Sequence, residues 1–213
     1  MIVSEYISNY ISLNGISHVF SVTGGYAMFL NDAFGKNNKI KNIYTHGEQG
    51  ASYAAVGYTK SSNIPCVVST TAGVAAMNAT SGALVAFQES LPILFISGQV
   101  NKNETTSNMK TNVRHYSGQD CNIIESVKNI TKYSVEIQKS TEIKYHLDKI
   151  FYEMTNGRPG PCWLSVPLDI QNDQIYEEEL VEFSSEIIIK KNDYVMKVLS
   201  MLKNSNFHWF YSY

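Results

Sequence analysis

Residues 66–98 read CVVSTTAGVAAMNATSGALVAFQESLPILFISG, and this stretch decides the fold that we predict for the chain. Two short apolar runs, CVVST at 66–70 and PILFISG at 92–98, enclose a segment that is rich in small residues and long enough for a helix. Continuous apolar runs are typical of strands that are buried on both faces of a parallel sheet. Because parallel neighbours need a crossover connection, the stretch predicts two parallel strands joined by a helix.

The same alternation continues in both directions along the chain. The first helix is predicted from Ile2 to Ile11, with Gly15 at the left-handed position that often ends a helix. Six short strands that alternate with helices indicate an α/β fold, namely a parallel six-stranded sheet with helices on both faces. The four further strand-like runs lie at 18–23, 41–45, 133–137 and 162–167.

The chain is predicted to contain one domain and part of another. Residues 1–185 form the domain, and residues 186–213 form a linker and the truncated start of a middle domain, with one more helix over 193–203. The polar segment 99–120 has no periodicity, and loops of this length inside a domain are usually functional. We interpret it as an active-site loop.

Composition excludes several classes of function. Lys and Arg number 17 against 19 acidic residues, and this balance argues against nucleic acid and anionic membranes as partners. The three cysteines are far apart and show no metal-ligand spacing, so we expect reduced thiols and no metal site. The N-terminus has neither a signal peptide nor a membrane span, and a cytoplasmic location is the default expectation.

Glu48 is the residue that most needs an explanation. The segment THGEQGASYAAVGYTK, residues 45–60, places this carboxylate beside Gly47 at the predicted start of an Ala-rich helix that follows a strand. An acid in a first turn often does no more than complement the positive end of the helix dipole. The small residues on the same helix also allow another backbone or a planar ligand to approach closely.

This segment resembles the glutamate-bearing motif of acetolactate synthases and their relatives, which depend on thiamine diphosphate. The resemblance covers about residues 1–185, and it identifies the chain as similar to the N-terminal, pyrimidine-binding domain of those enzymes. Four further blocks agree with the family in order and spacing: 15–34, 69–100, 117–137 and 155–171.

The resemblance implies a role for each matching residue. Glu48 would hydrogen-bond the ring nitrogen of the cofactor's aminopyrimidine and so activate the cofactor, and Gln119 would line the reaction pocket. These two are the predicted catalytic residues. The predicted cofactor-binding residues are Gly24, Gly25, Glu48, Thr71, Gly73 and Asn78.

The resemblance also implies a reaction and its partners. A 2-oxo acid would be decarboxylated and joined to a carbonyl acceptor. A magnesium ion and the diphosphate would be held by a C-terminal domain of another subunit, in a homodimer or homotetramer. Whether FAD is bound stays open, because a middle domain would hold it. A catalytically inactive binding or assembly module is the alternative function. A dinucleotide-binding domain is disfavoured, because Gly24 and Gly25 do not form the GxGxxG pattern.

The sequence departs from the family at several positions near the predicted site. Val74 and Ala75 stand where the family has a proline and a glycine, and the backbone there is expected to differ. Gly118 replaces a phenylalanine and Leu168 a lysine, and both changes predict a bulkier, uncharged acceptor. Alternatively, the long loop supplies a substitute cation from Lys102, Lys110 or Arg114. Two further residues have open roles: His46, which would line the cofactor site, and Arg158, an anion clamp or a structural residue.

Overall fold

The computed structural model describes residues 1–109, 112–184 and 193–204. The chain divides into two units, Met1–Phe183 and Ser184–Tyr213. In the second unit the described residues include the helix Asp193–Lys203, where the sequence predicts one. The rest of the predicted linker and middle-domain start, at 186–192 and 205–213, lies outside the described residues. The boundary at 185 and the assignment of 186–213 therefore stay predictions.

The first unit is built on six parallel strands. The strands are β1 His18–Ser21, β2 Lys41–Tyr44, β3 Cys66–Thr70, β4 Ile93–Gln99, β5 Tyr133–Glu136 and β6 Cys162–Pro167. Their order in the sheet is β2, β1, β3, β4, β6, β5, and every neighbouring pair is parallel. The prediction of a parallel six-stranded sheet is confirmed.

Helices cover both faces of the sheet, as predicted. The helices are α1 Val3–Leu13, α2 Met28–Lys36, α3 Glu48–Ser62, α4 Val74–Asn78, α5 Thr80–Gln88, α6 Thr106–Met109, α7 Ile123–Val127, α8 Ile143–Thr155, α9 Leu168–Gln171 and α10 Asp193–Lys203. One face carries α1, α2 and α8, and alternate strand residues such as Val67 and Leu94 pack beneath them. The other face carries α3, α5 and α7 over Val68 and Phe95, whose ring stacks on Trp163 at a centroid distance of 5.0 Å.

The strand order reverses at β1, and this reversal creates a crevice at the carboxyl ends of β1 and β3. From β1 the chain moves outward to the edge strand β2 and then returns to β3 on the other side of β1. Helix α2 packs on one face of the sheet and α3 on the other. The connections that leave the carboxyl ends of β1 and β3 therefore diverge, and ligands of open α/β sheets bind at such switch points.

Two segments differ from the sequence prediction. The predicted active-site loop at 99–120 contains a 3₁₀ turn at Lys102–Glu104 and the short helix α6. The small-residue stretch at 73–88 forms two helices that meet at Ala79. In the part of the chain that the structure describes, none of the helices has the length and apolar character needed to span a bilayer.

Candidate active site

Glu48 lies at the carboxyl edge of the sheet as the first residue of α3. Gly47 precedes it with an extended backbone, and the hydroxyl of Thr45 donates to the carbonyl oxygen of Gly47 at 3.0 Å, which closes the turn after β2. Asn78 at the end of α4 donates from Nδ2 to Glu48 Oε2 at 3.2 Å. Two helices therefore fix this carboxylate, and its side chain remains partly exposed.

A groove of about 420 Å³ opens in front of this pair. The carboxylate of Glu48 and the amide of Asn78 supply its polar edge, and the exposed side chain of Met77 supplies an apolar wall. No lysine or arginine is among the described residues that line it: Gly47, Glu48, Gln49, Met77, Asn78, Thr80 and Ser81. The groove therefore suits a neutral, flat group with hydrogen-bonding atoms on one edge.

Thr71 and the glycine turn after β1 contact each other. A Cβ on Gly24 would lie 2.5 Å from Thr71 Cβ, so no larger residue fits there without a shift. The hydroxyl of Thr71 accepts a hydrogen bond from the backbone N–H of Tyr26 at 3.1 Å. Gly25 has no atom within 4 Å of its Cβ position, so nothing in the described chain requires a glycine there. The side chain of Thr71 holds the turn in place.

Gly73 and Gln119 bring the long loop to the start of α4. Gly73 has a φ of 65°, which side chains rarely tolerate, and a Cβ there would lie 2.4 Å from the carbonyl oxygen of Gln119. Gln119 also has a positive φ of 71° and an exposed side chain. Helix α4 has five residues and spans about 7.5 Å. The predicted catalytic residues Gln119 and Glu48 therefore lie beside its opposite ends.

Two close approaches that sequence reasoning missed determine the shape of this edge. A Cβ on Gly82 would lie 2.4 Å from Ser52 Cβ, so α5 packs directly on α3 near Glu48. A Cβ on Gly98 would lie 1.9 Å from the carbonyl oxygen of Tyr26, so the end of β4 supports the glycine turn. Both glycines lie within the quoted stretch 66–98. For Gly98, a glycine inside an apolar strand was the available signal of a close approach, whereas Gly82 lies in α5 and offered no such signal.

A second polar group lies at the ends of β4 and β5. The Glu136 carboxylate accepts hydrogen bonds from Gln99 Nε2 at 3.3 Å, Gln138 Nε2 at 3.2 Å and Ser165 Oγ at 3.4 Å. Burial raises the pKa of Glu136 above its ordinary value, and these hydrogen bonds oppose part of that rise. Gln99 Nε2 also donates to the carbonyl oxygen of Cys121 at 2.8 Å, which ties this cluster to the loop that carries Gln119.

Several other candidate residues have structural contacts or lie outside the groove. Arg158 donates to Ser90 Oγ at 2.7 Å and to the carbonyl oxygen of Gln88 at 3.1 Å, which supports its structural reading. The ammonium of Lys102 donates to the carbonyl oxygen of Gln138 at 3.0 Å. Lys110 lies outside the described residues. His46 is exposed and does not line the groove, and Leu168 is partly buried at the start of α9.

Fold and site together define a class of protein: an α/β domain that presents a glutamate at a helix start, beside the switch point of a parallel sheet. Residues 1–125 match the family described as thiamine pyrophosphate enzyme, N-terminal TPP binding domain. The chain belongs to this family. In the described residues, no three His, Cys, Asp or Glu side chains come together as a metal site would require.

Acetolactate synthases are among the curated relatives that the chain matches. The chloroplastic enzyme of Arabidopsis thaliana is 32% identical over 157 residues, which is 74% of this chain and 22% of the relative. The large subunit of Haemophilus influenzae is 32% identical over 170 residues, which is 79% of this chain and 28% of the relative. The chain thus spans 22% to 28% of the length of these two proteins.

A solved structure agrees in fold. It comes from Mycobacterium smegmatis and is described as a candidate thiamin diphosphate-dependent enzyme. The TM-score is 0.73 at 17% identity, and the match covers 87% of this chain and 34% of the other. At this identity the agreement concerns the architecture alone.

Proposed function

We propose that this chain is the pyrimidine-binding part of an enzyme that decarboxylates a 2-oxo acid and joins the remaining fragment to a carbonyl acceptor. The observation that carries the proposal is the Glu48 carboxylate, which Asn78 holds by one oxygen at the edge of an open groove. Among the described residues only Asn78 hydrogen-bonds this carboxylate, so its other oxygen is available to a ligand. The acetolactate synthase relatives support the same reaction class.

The groove fits the aminopyrimidine half of thiamine diphosphate. Glu48 would hydrogen-bond a ring nitrogen, and Met77 and Gly47 would lie against the apolar faces of the ring. When bound, the cofactor would supply an electron sink for loss of carbon dioxide from the 2-oxo acid. The task of Glu48 is to share a proton with the ring nitrogen, and the task of Asn78 is to keep the carboxylate aimed at it.

The diphosphate half needs a second domain. Among the described residues, the groove lining includes no cation that could bind it. We therefore propose that a C-terminal domain of another subunit holds the diphosphate through Mg²⁺, in a homodimer or homotetramer. Exposed apolar side chains on α3, α4 and α5, the helices that line the groove, support a partner on this side, since exposed apolar surface marks interaction sites. These side chains, each more than a third exposed, are Tyr53, Met77, Leu84 and Phe87.

A cofactor-binding or assembly module without catalysis is the second candidate function. The observation in its favour is that Gln119 is exposed and Glu48 is partly exposed. This chain by itself therefore does not exclude water from the site. FAD binding and a cytoplasmic location stay expectations, since no contact among the described residues concerns either of them.

Titration calorimetry separates the two functions. Residues 1–213 are titrated with thiamine diphosphate and Mg²⁺, beside the full-length protein. We expect weak binding and no pyruvate consumption by residues 1–213, and tight binding with turnover by the full-length protein. Micromolar affinity of residues 1–213 would contradict the division of the cofactor between two domains. Tight binding by the full-length protein without consumption of any 2-oxo acid would favour the module.

A further inference from the structure

The side chain of Tyr26 does not line the groove around Glu48, and its hydroxyl makes no hydrogen bond that would stabilise the described part of the fold. It is half-buried, and its hydroxyl lies 3.7 Å from the position that a Cβ on Gly118 would occupy. Among the described residues, this hydroxyl has no hydrogen-bond partner. The absence of a side chain at Gly118 leaves this partly exposed hydroxyl free to hydrogen-bond water or a ligand.

The backbone of Tyr26 is anchored on three sides. Its N–H donates to Thr71 Oγ1 at 3.1 Å, and its carbonyl oxygen accepts from Gln171 Nε2 at 2.7 Å. The missing side chain of Gly98 lets β4 lie against the same carbonyl group. The backbone of Tyr26 is therefore held in one position. A hydroxyl group on a fixed residue discriminates better between ligands than one on a mobile residue.

The hydroxyl lies on the same edge of the sheet as the candidate site. Gly118 directly precedes Gln119, whose carbonyl oxygen packs against Gly73 at the start of α4. Helix α4 leads over about 7.5 Å to Asn78 and the Glu48 carboxylate. Gly118, Gln119 and α4 thus connect Tyr26 with the cofactor groove along this edge.

We propose that Tyr26 is a specificity-determining residue for the carbonyl acceptor, and that it selects a neutral acceptor that bears a hydroxyl group. This inference rests on the proposed function. A phenol can donate to or accept from an alcohol, but it cannot neutralise a carboxylate. The Lys102 ammonium, which could pair with a charged acceptor, instead donates to the carbonyl oxygen of Gln138, just after the edge strand β5. An acceptor hydroxyl would satisfy the Tyr26 hydroxyl, and an acceptor without one would leave it unpaired.

The test compares two acceptors of similar size in the full-length protein with thiamine diphosphate, Mg²⁺ and pyruvate as donor. Glyceraldehyde carries hydroxyl groups and propanal carries none. We expect kcat/KM to favour glyceraldehyde, and Tyr26→Phe to reduce that preference about tenfold. Tyr176→Phe, at an exposed tyrosine, is the matched control and should leave the preference unchanged. An unchanged preference in Tyr26→Phe would overturn the proposal.

Two further measurements keep the result unambiguous. Gly118→Ala introduces a methyl group in ordinary contact with the Tyr26 hydroxyl, and it should also reduce the preference for glyceraldehyde. Calorimetry with xylitol, a polyol that cannot react, should give weaker binding to Tyr26→Phe than to the wild type. If the wild type consumes no 2-oxo acid, the proposed function fails, and the xylitol measurement alone decides whether Tyr26 binds hydroxyl groups. Equal affinities would overturn the inference.

Discussion

The carbonyl oxygen of Gln119 lies 2.4 Å from the point at which a side chain on Gly73 would begin. Neither residue has an ordinary backbone: φ is 65° at Gly73 and 71° at Gln119. Non-glycine residues with positive φ are uncommon, and they concentrate at ligand sites where the surrounding structure fixes them. This contact joins the long loop to α4, and through Asn78 to the Glu48 carboxylate. The two predicted catalytic residues therefore share one structural support.

Gly73→Ala is expected to destabilise the chain and displace the loop. The added methyl group meets the Gln119 carbonyl, and the positive φ strains any side chain, so we expect a loss of about 1–3 kcal/mol in the free energy of unfolding. Urea melts measure the loss, and limited proteolysis within 112–120 reports the displacement. Gly35→Ala is the control, since its Cβ position has no atom within 4 Å. Equal stability of the two variants would show that the contact is not tight.

Glu48→Gln in the full-length protein is expected to lower cofactor activation by at least about a hundredfold without loss of the fold. The amide keeps the shape of the side chain and can still accept from Asn78, but it cannot share a proton with a ring nitrogen. Exchange of the cofactor's thiazolium proton with deuterated solvent, measured beside a thermal melt, is the assay. Glu178→Gln, at an exposed glutamate, is the control. Exchange at nearly the wild-type rate would remove Glu48 from its assigned role.

The sequence is sufficient to predict the sheet, because its central strands β3, β4 and β6 are largely apolar and buried throughout, which is typical of a parallel sheet covered on both faces. It also indicates Glu48, because a carboxylate beside small residues at a helix start is unusual. It does not reveal which glycines touch a neighbour. Gly25 and Gly82 look alike in sequence, yet only Gly82 meets another backbone segment, at Ser52. Such contacts depend on the approach of helices that are distant in the chain.

Gly82→Ala is expected to force α5 away from α3 and to lower the free energy of unfolding by about 1–3 kcal/mol, the usual cost of overpacking. Its Cβ would lie 2.4 Å from both Cβ and Oγ of Ser52. Ser52→Gly removes those two atoms and should restore part of the loss in the double variant. A double-mutant cycle from urea melts measures this coupling. Strictly additive effects would indicate that the two helices are further apart.

The three thiols are expected to differ in reactivity in the folded chain. Burial raises the pKa of Cys66 and of Cys162 to about 12, so neither forms a thiolate near neutral pH. Burial and the charge of Asp120 also raise the pKa of Cys121, but its side chain is partly exposed. Iodoacetamide followed by peptide mass spectrometry should therefore label Cys121 slowly and the others hardly at all, and all three in urea. Labelling of Cys66 as fast as Cys121 without urea would contradict the buried positions.

The free energy of unfolding of Glu136→Gln, relative to that of the wild type, is expected to increase as the pH rises above about 4.5. Burial raises the pKa of Glu136 in the folded chain above its ordinary value of 4.5. The folded state therefore holds the proton more tightly than the unfolded state. The stability that this proton provides is complete below pH 4.5 and is lost as the pH rises through the folded pKa. The amide of the variant has no proton to lose, so its stability lacks this decline.

At low pH the same variant should be the less stable of the two, because its amide nitrogen cannot accept a hydrogen bond from Gln99 Nε2 or Gln138 Nε2, whereas both oxygens of a protonated carboxyl group can accept. Ser165→Ala offers a second test of the sign. This variant lacks a donor that lowers the pKa of Glu136. Its stability should therefore decline with rising pH by more than that of the wild type. Urea melts of the three proteins at several pH values between 4 and 8 measure the differences. A constant offset between Glu136→Gln and the wild type over this range would mean that the side chain is hydrated, because a hydrated carboxylate is not forced to keep its proton by folding.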